Sequence, residues 1–235
     1  KEVFQVEKGN WKYMILRAGF GTLGILCNFY AVDHLVLSDA SMLNKMSPFF
    51  VILFSFLILK EKLTPIQVTA VCGAFIGSLF IIKPTFLNMN IVPSLIGLCG
   101  GLCAGIAYTM VRVLGQRGQK GVSVVLFFSG FSCLVTLPYL LLNYHTMSMW
   151  QGIVLLGAGV AAAGGQFAIT AAYYHAPARE ISVYDYSQII FSAIIGFALF
   201  HQIPDRYSVL GYVIIIGMAV WMFFYNQRRD ASDVK

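Results

Sequence analysis

An all-α polytopic membrane bundle is the fold this sequence predicts, on three observations. Eight apolar stretches of about 20 residues follow one another, each long enough to cross a hydrocarbon core of about 30 Å as a helix. The Lys and Arg residues gather at one set of alternate ends of those stretches. Mean hydropathy is +0.76, with 58% hydrophobic and only 11% charged residues among 235, which leaves almost no material for a soluble domain.

The spans fall at 13–33, 36–59, 64–83, 91–112, 122–143, 151–174, 179–200 and 207–226. The first follows Lys1, Lys8 and Lys12 and carries Arg17 early. The second ends at Lys60-Glu61-Lys62 and contains a mid-helix Ser47-Pro48. The third carries Gly73 and Gly77 and stops before Pro84. The fourth holds Gly97, Gly101 and Gly105 at four-residue spacing, one stripe along which another helix can approach closely, and ends at Arg112. Arg117 and Lys120 precede the fifth span. The sixth contains a run of only Gly, Ala and Val from Gly157 to Gly165, Arg179 opens the seventh, and Arg228 and Arg229 follow the eighth.

Of 16 Lys and Arg residues, only Lys83 and Arg206 fall at the opposite ends, and Lys45 sits inside a span. The positive-inside bias therefore predicts that both ends of this chain are cytoplasmic. The net charge of +6 is scattered through these loops and not gathered on one face, so it reads as a topology signal and not as a nucleic-acid surface. Short basic loops and a minimal build point to a bacterial inner (plasma) membrane, with a eukaryotic endomembrane as runner-up. The chain opens on Lys1 with no signal peptide, so the expectation is that N-terminal sequence was trimmed or left out.

The five cysteines, Cys27, Cys72, Cys99, Cys103 and Cys133, all lie in spans and read as small packing residues. His34, His145, His175 and His201 lie near span ends without metal-like spacing. No metal or cofactor is expected. The spans hold no HExxH, GxSxG or close carboxylate pair, and the chain no Walker loop, which argues against an intramembrane enzyme and against direct use of ATP.

A 140-residue offset aligns span one with six, two with seven and three with eight. It pairs Ala18 with Ala158, Gly19 with Gly159, Gly24 with Gly164, Ala31 with Ala171, Ser47 with Ser187 and Gly77 with Gly217. Five spans separate the mates, so each pair runs in opposite directions. Inverted repeats of this kind build secondary transporters with substrate near the midplane.

Segment 16–84 then carries Arg17, Phe29-Tyr30-Ala31, Asp39-Ala40, Ser47-Pro48, Lys60-Glu61-Lys62-Leu63-Thr64, Gly73 and Gly77. It resembles the EamA domain of the drug/metabolite transporter superfamily, whose members are similar to two fused five-helix repeats. The second copy begins near Gly97 and runs through Tyr108, Arg112 and Ala176-Pro177-Ala178 to Gly211 and Gly217. The pattern departs at His201, where an acidic residue is usual, and at Gln188, which stands where Pro48 stands in the first copy. The resemblance implies that 1–84 forms the last three helices of one repeat and 91–226 a complete second repeat, with 227–235 a cytoplasmic tail. Two further helices are expected ahead of this chain, ten in all.

The sharpest polar pair is Lys45 and Asp185, which the repeat maps onto each other. At about 1.5 Å rise per residue each lies roughly 10–14 Å inside its span, approaching the midplane from opposite faces. A lone charge there costs about 2.5–3.5 kcal/mol, so each is expected to face a wet cavity or a partner. Lys45 would attract a carboxylate or phosphate, and Asp185 an amine or a proton; a structural ion pair between them is the alternative. Asn44 precedes Lys45 and shares a face with Pro48, Tyr184 flanks Asp185, and Asp185 shares a face with Gln188; Tyr108 and Gln166 complete the candidate substrate site, with Asn28, Tyr30, Tyr173, Tyr186 and Ser187 as further cavity candidates. Arg17, Arg112, Arg179 and Glu180, near the cytoplasmic ends, read as snorkelling anchors or a gate network.

The sequence thus points to a secondary transporter of small metabolites by alternating access, amino-acid or related metabolite efflux first. An organic-anion or nucleotide-sugar transporter stands as the alternative, and a non-transporting membrane receptor or assembly factor as another. A small-molecule substrate and the lipid bilayer are the expected partners, with no nucleic acid. Protons through Asp185 and a second copy of the chain are further candidates.

Overall fold

The computed structural model describes residues 6–7, 9–59, 64–82, 91–144, 146–175 and 187–233. All regular structure among them is helical: α1 (Trp11–His34), α2 (Leu37–Asn44), α3 (Ser47–Leu59), α4 (Pro65–Ile82), α5 (Ile91–Gln116), α6 (Gly121–Leu142), α7 (Met149–His175), α8 (Ser187–Phe200) and α9 (Arg206–Asp233). Six stretches among the described residues are long and apolar enough to cross a membrane: 11–34, 39–58, 91–116, 121–142, 149–175 and 206–225. Leu134, Leu142, Leu156 and Val160 are each more than 70% exposed, as befits side chains whose solvent is lipid.

The second span is broken where a single helix was expected. Pro48 has no N–H, and its ring crowds the carbonyl of Asn44 four residues back. The chain closes α2 by donating Lys45 N to Ser41 O (3.0 Å), makes one tight turn through Met46 N to Leu43 O (3.2 Å), and restarts as α3. The glycine stripe of α5 covers this break. A Cβ on Gly101 would lie 2.6 Å from Leu43 O and 3.2 Å from Asn44 O, so only glycine lets the two backbones approach this closely. Gly24 and Gly100 meet in the same way where α1 crosses α5, each within 3.2–3.3 Å of the other's carbonyl.

Two apolar cores flank that crossing. Met42, Met46 and Phe49 of the broken span pack with Ala70 and Ala74 of α4 and with Ile215 and Met222 of α9. Met14, Val51, Val111, Leu114, Val124 and Tyr173 join α1, α3, α5, α6 and α7. Among the described residues, the buried side chains of α7 lie in its last turns, at Thr170 and Tyr173. A Cβ on any glycine of its expected packing run, Gly157, Gly159, Gly164 or Gly165, would meet nothing within 4 Å among the described residues. α9 runs on through the expected tail to Asp233.

Hydrogen bonds tie both ends of the bundle. At the end holding the start of α1, Gln119 Oε1 accepts from Glu7 N (3.1 Å) and Asn10 Nδ2 (3.4 Å), and Gln119 O accepts from Tyr174 Oη (2.7 Å). At the far end, Leu37 N donates to Gln202 Oε1 (2.8 Å), the Ser41 and Ser192 hydroxyls bond at 2.8 Å, and Asp39 accepts from Ser208 Oγ (3.1 Å) and Tyr212 Oη.

Candidate functional site: a buried arginine over a small polar cavity

Arg17, Gly21, Gly24 and Asn28 recur at i, i+4, i+7 and i+11, which puts them on one stripe of α1. That stripe faces a cavity of about 180 Å³ between α1, α5, α6 and α7, walled also by Asn44, Tyr108, Phe128 and Gln166. Arg17 is 2% exposed. Its guanidinium lies over the Phe128 ring, 4.1 Å from the centroid, and Nη2 donates to Gln166 Oε1 at 3.1 Å. Nε is buried with no hydrogen-bond partner among the described residues. Gly21 makes this possible: a Cβ there would collide with Nη1 and come within 2.8 Å of Phe128.

A buried guanidinium with an unused donor is costly unless an acceptor completes it. The remaining polar groups on the wall are the carboxamides of Asn28 and Asn44 and the Tyr108 phenol, whose ring stacks on Tyr173 at 4.9 Å. The fixed fork of Arg suits a carboxylate or phosphate, and the carboxamides can both donate and accept.

Four of the sequence-predicted residues therefore come together on one cavity: Asn28, Asn44, Tyr108 and Gln166. Tyr173 is buried behind them. Lys45 and Pro48 are buried in the α2–α3 break and are not among the residues that line this cavity. Tyr30 is exposed and stacks on His34 at 4.2 Å, away from it. Gln188 is exposed near the start of α8, which Ser187 opens. Tyr184, Asp185, Tyr186, Arg179 and Glu180 lie outside the described residues. Arg17, expected to snorkel or gate, is instead enclosed by protein. The signal that finds it is the stripe it shares with Gly21, Gly24 and Asn28.

A helical bundle that crosses the membrane several times and encloses a cation and carboxamides is built to pass a polar solute. The chain belongs to the EamA-like transporter family, whose model matches residues 1–83 and 95–224. It is a multi-pass membrane transporter of the drug/metabolite transporter superfamily and not an enzyme. Among its relatives is the Pseudopaline exporter CntI of Pseudomonas aeruginosa, 32% identical over 206 residues, 86% of this chain and 72% of that protein. A riboflavin transporter of Brucella anthropi is 27% identical over 93% of this chain and 77% of its own length. An S-adenosylmethionine uptake transporter of Rickettsia prowazekii is 23% identical over 93% and 74%. A crystal structure of a protein 17% identical in sequence aligns with a TM-score of 0.62 over 97% of this chain and 80% of its own, a likeness of fold alone.

Proposed function

We propose that this transporter exports a small carboxylate-bearing metabolite of the amino-acid class by alternating access across the bacterial inner (plasma) membrane, with both ends of the chain cytoplasmic. The observation that carries the reading is Arg17: buried, bonded on one side to Gln166, and holding an unused Nε beside a cavity of about 180 Å³. A substrate carboxylate would complete the guanidinium, with Asn28 and Asn44 positioned to bond its polar body. The amine of a zwitterion would meet Asp185, the carboxylate that the repeat sets opposite Lys45. Lys45, at the C-terminal end of α2, supplies further positive charge one residue from Asn44.

Size favours this class over the alternative. Cavities for larger ligands run to about 300–1,000 Å³, so this one suits an amino-acid-sized solute better than a nucleotide sugar. Outward direction rests on the pseudopaline exporter, the relative at 32% identity.

The test is thermal stabilisation of the detergent-purified protein against amino acids, organic acids, nucleotide sugars and cationic drugs. Zwitterions are expected to raise the melting temperature of the parent. Arg17→Ala should weaken that binding about 10- to 100-fold, the worth of a hydrogen bond to a charged group. Equal stabilisation of parent and variant would overturn the assignment of Arg17. Stabilisation by organic acids alone, unaffected by Asp185→Asn, would favour the anion reading.

A further inference from the structure

The far end of the bundle is held shut by side chains from opposite halves of the chain, and one of them is a carboxyl. Asp39, in the first turn of α2, is 9% exposed and accepts from two hydroxyls of α9, Ser208 Oγ at 3.1 Å and Tyr212 Oη. Ser208 is held for this by its own backbone: Asp205 Oδ1 caps α9 by accepting from Tyr207 N and Ser208 N, both at 2.9 Å. One turn along α2, the Ser41 hydroxyl meets Ser192 of α8 at 2.8 Å, and Gln202, just past α8, accepts from Leu37 N. α2 is thereby stitched to α8, to the turn after it and to α9 by four side-chain bonds within five residues.

We infer that Asp39 is a proton-binding site whose ionisation decides whether this end is closed. As a carboxylate Asp39 is acceptor only and satisfies both hydroxyls at once. Binding one proton from the outside water makes a neutral acid: the protonated oxygen donates to one hydroxyl, which turns to accept it, the other hydroxyl still donates, and both bonds lose the assistance of the carboxylate charge. The α2–α9 bond is weakened while Ser41–Ser192 and Leu37–Gln202 remain as neutral contacts. Release of the proton restores the latch.

Among the described residues, the titratable and charged groups on the elements around α2 are few. Tyr212 faces Asp39 directly, and Asp205 stands one residue from Arg206 and shares Ser208 with Asp39. α1 offers Asp33 and His34 at its end, where they pair with each other at 3.5 Å. α5 offers Cys99, Cys103, Tyr108 and Arg112, α4 offers Cys72, and the described part of α8 has no charged residue. Lys45 lies six residues along, at the other end of α2.

The inference takes from the proposed function only its orientation, in which the far end faces out. The experiment needs no substrate, so it fails or succeeds independently of Arg17. In the full chain with its five cysteines replaced by alanine, Gly196→Cys places a thiol beneath the latch. A Cβ there sits 3.5 Å from Gln202 Oε1 and 3.6 Å from Leu37 Cβ, ordinary contact. Asp33→Cys, at a site 80% exposed, serves as the reference for the reactivity of an open thiol at each pH. Intact cells are labelled with a membrane-impermeant methanethiosulfonate between about pH 4 and about pH 8, a range that runs from ordinary aspartate titration into its upper tail at buried positions.

The ratio of the two labelling rates is expected to rise about tenfold from the high to the low end of that range, the loss of that charge assistance. Asp39→Asn should hold the ratio high at every pH. Tyr212→Phe and Ser208→Ala, which leave the carboxyl in place with one donor fewer, should displace the pH at which the ratio changes. A ratio flat with pH in the parent overturns the inference. So does a parent profile that Tyr212→Phe and Ser208→Ala leave in place, which decides the matter even if Asp39→Asn does not fold.

Discussion

Arg17 and Lys45 exchange the roles that their sequence positions imply, and the reason is geometric. Lys45 looks like the midplane ligand because it is deepest in its span, but the break before Pro48 turns it into the residue that ends α2. There its charge meets the negative end of a short helix dipole. Arg17 looks like an interfacial anchor because it is close to Lys12, yet the glycine one turn later lets its head fold back into protein. His201 is a third residue whose role appears only with the backbone. It ends α8 at a φ of 53°, in the left-handed conformation that non-glycine residues avoid. His201 N and Gln202 N close back onto Phe197 O (3.1 Å) and Gly196 O (3.0 Å), which points Gln202 at Leu37. His201→Gly should therefore stabilise the protein by about 1 kcal/mol, read as a higher midpoint in detergent unfolding. The sequence flagged His201 as a departure from the family pattern but carries no sign of its dihedral angle.

Among the elements, apolar runs and basic flanks were enough to place α1, α5, α6, α7 and α9. The stripe of glycines on α5 was legible as a packing surface because its four-residue spacing is helical. What it packs against was not, since the partner is a pair of carbonyls exposed by the α2–α3 break and not a side-chain pattern. Gly101→Ala should lower stability by about 1–3 kcal/mol, because its methyl would meet the backbone oxygen of Leu43, which has no rotamer to yield. Gly159→Ala, on the part of α7 with nothing within 4 Å, should leave the unfolding midpoint unchanged or slightly raised. Equal losses at both positions would show that composition, and not the close approach at the break, sets the requirement for glycine.

For the whole molecule, the pairing of α2 with α8 and α9 joins residues more than 150 positions apart, as Ser41 and Ser192 show. Hydropathy sees each span alone, so no reading of single segments reveals which ends touch. The repeat offset came nearer, because it ranks α2 and α3 with α8 as mates across the bundle. A pair of cysteines at Ser41 and Ser192, whose hydroxyls stand 2.8 Å apart, should cross-link under mild oxidation and arrest transport until a reductant is added. Full transport by the cross-linked protein would rule out opening between α2 and α8 as part of the cycle.

The two donors to Asp39 lie 169 and 173 residues further along the chain. At synthesis rates of about 5–20 residues per second, a ribosome needs about 8–35 s to supply them. Throughout that interval α2 carries an aspartate with neither donor, at a cost of about 2.5–3.5 kcal/mol if it is held in lipid. The nascent α2–α3 span is thus the natural client of the insertion machinery, and α9 is the helix that releases it.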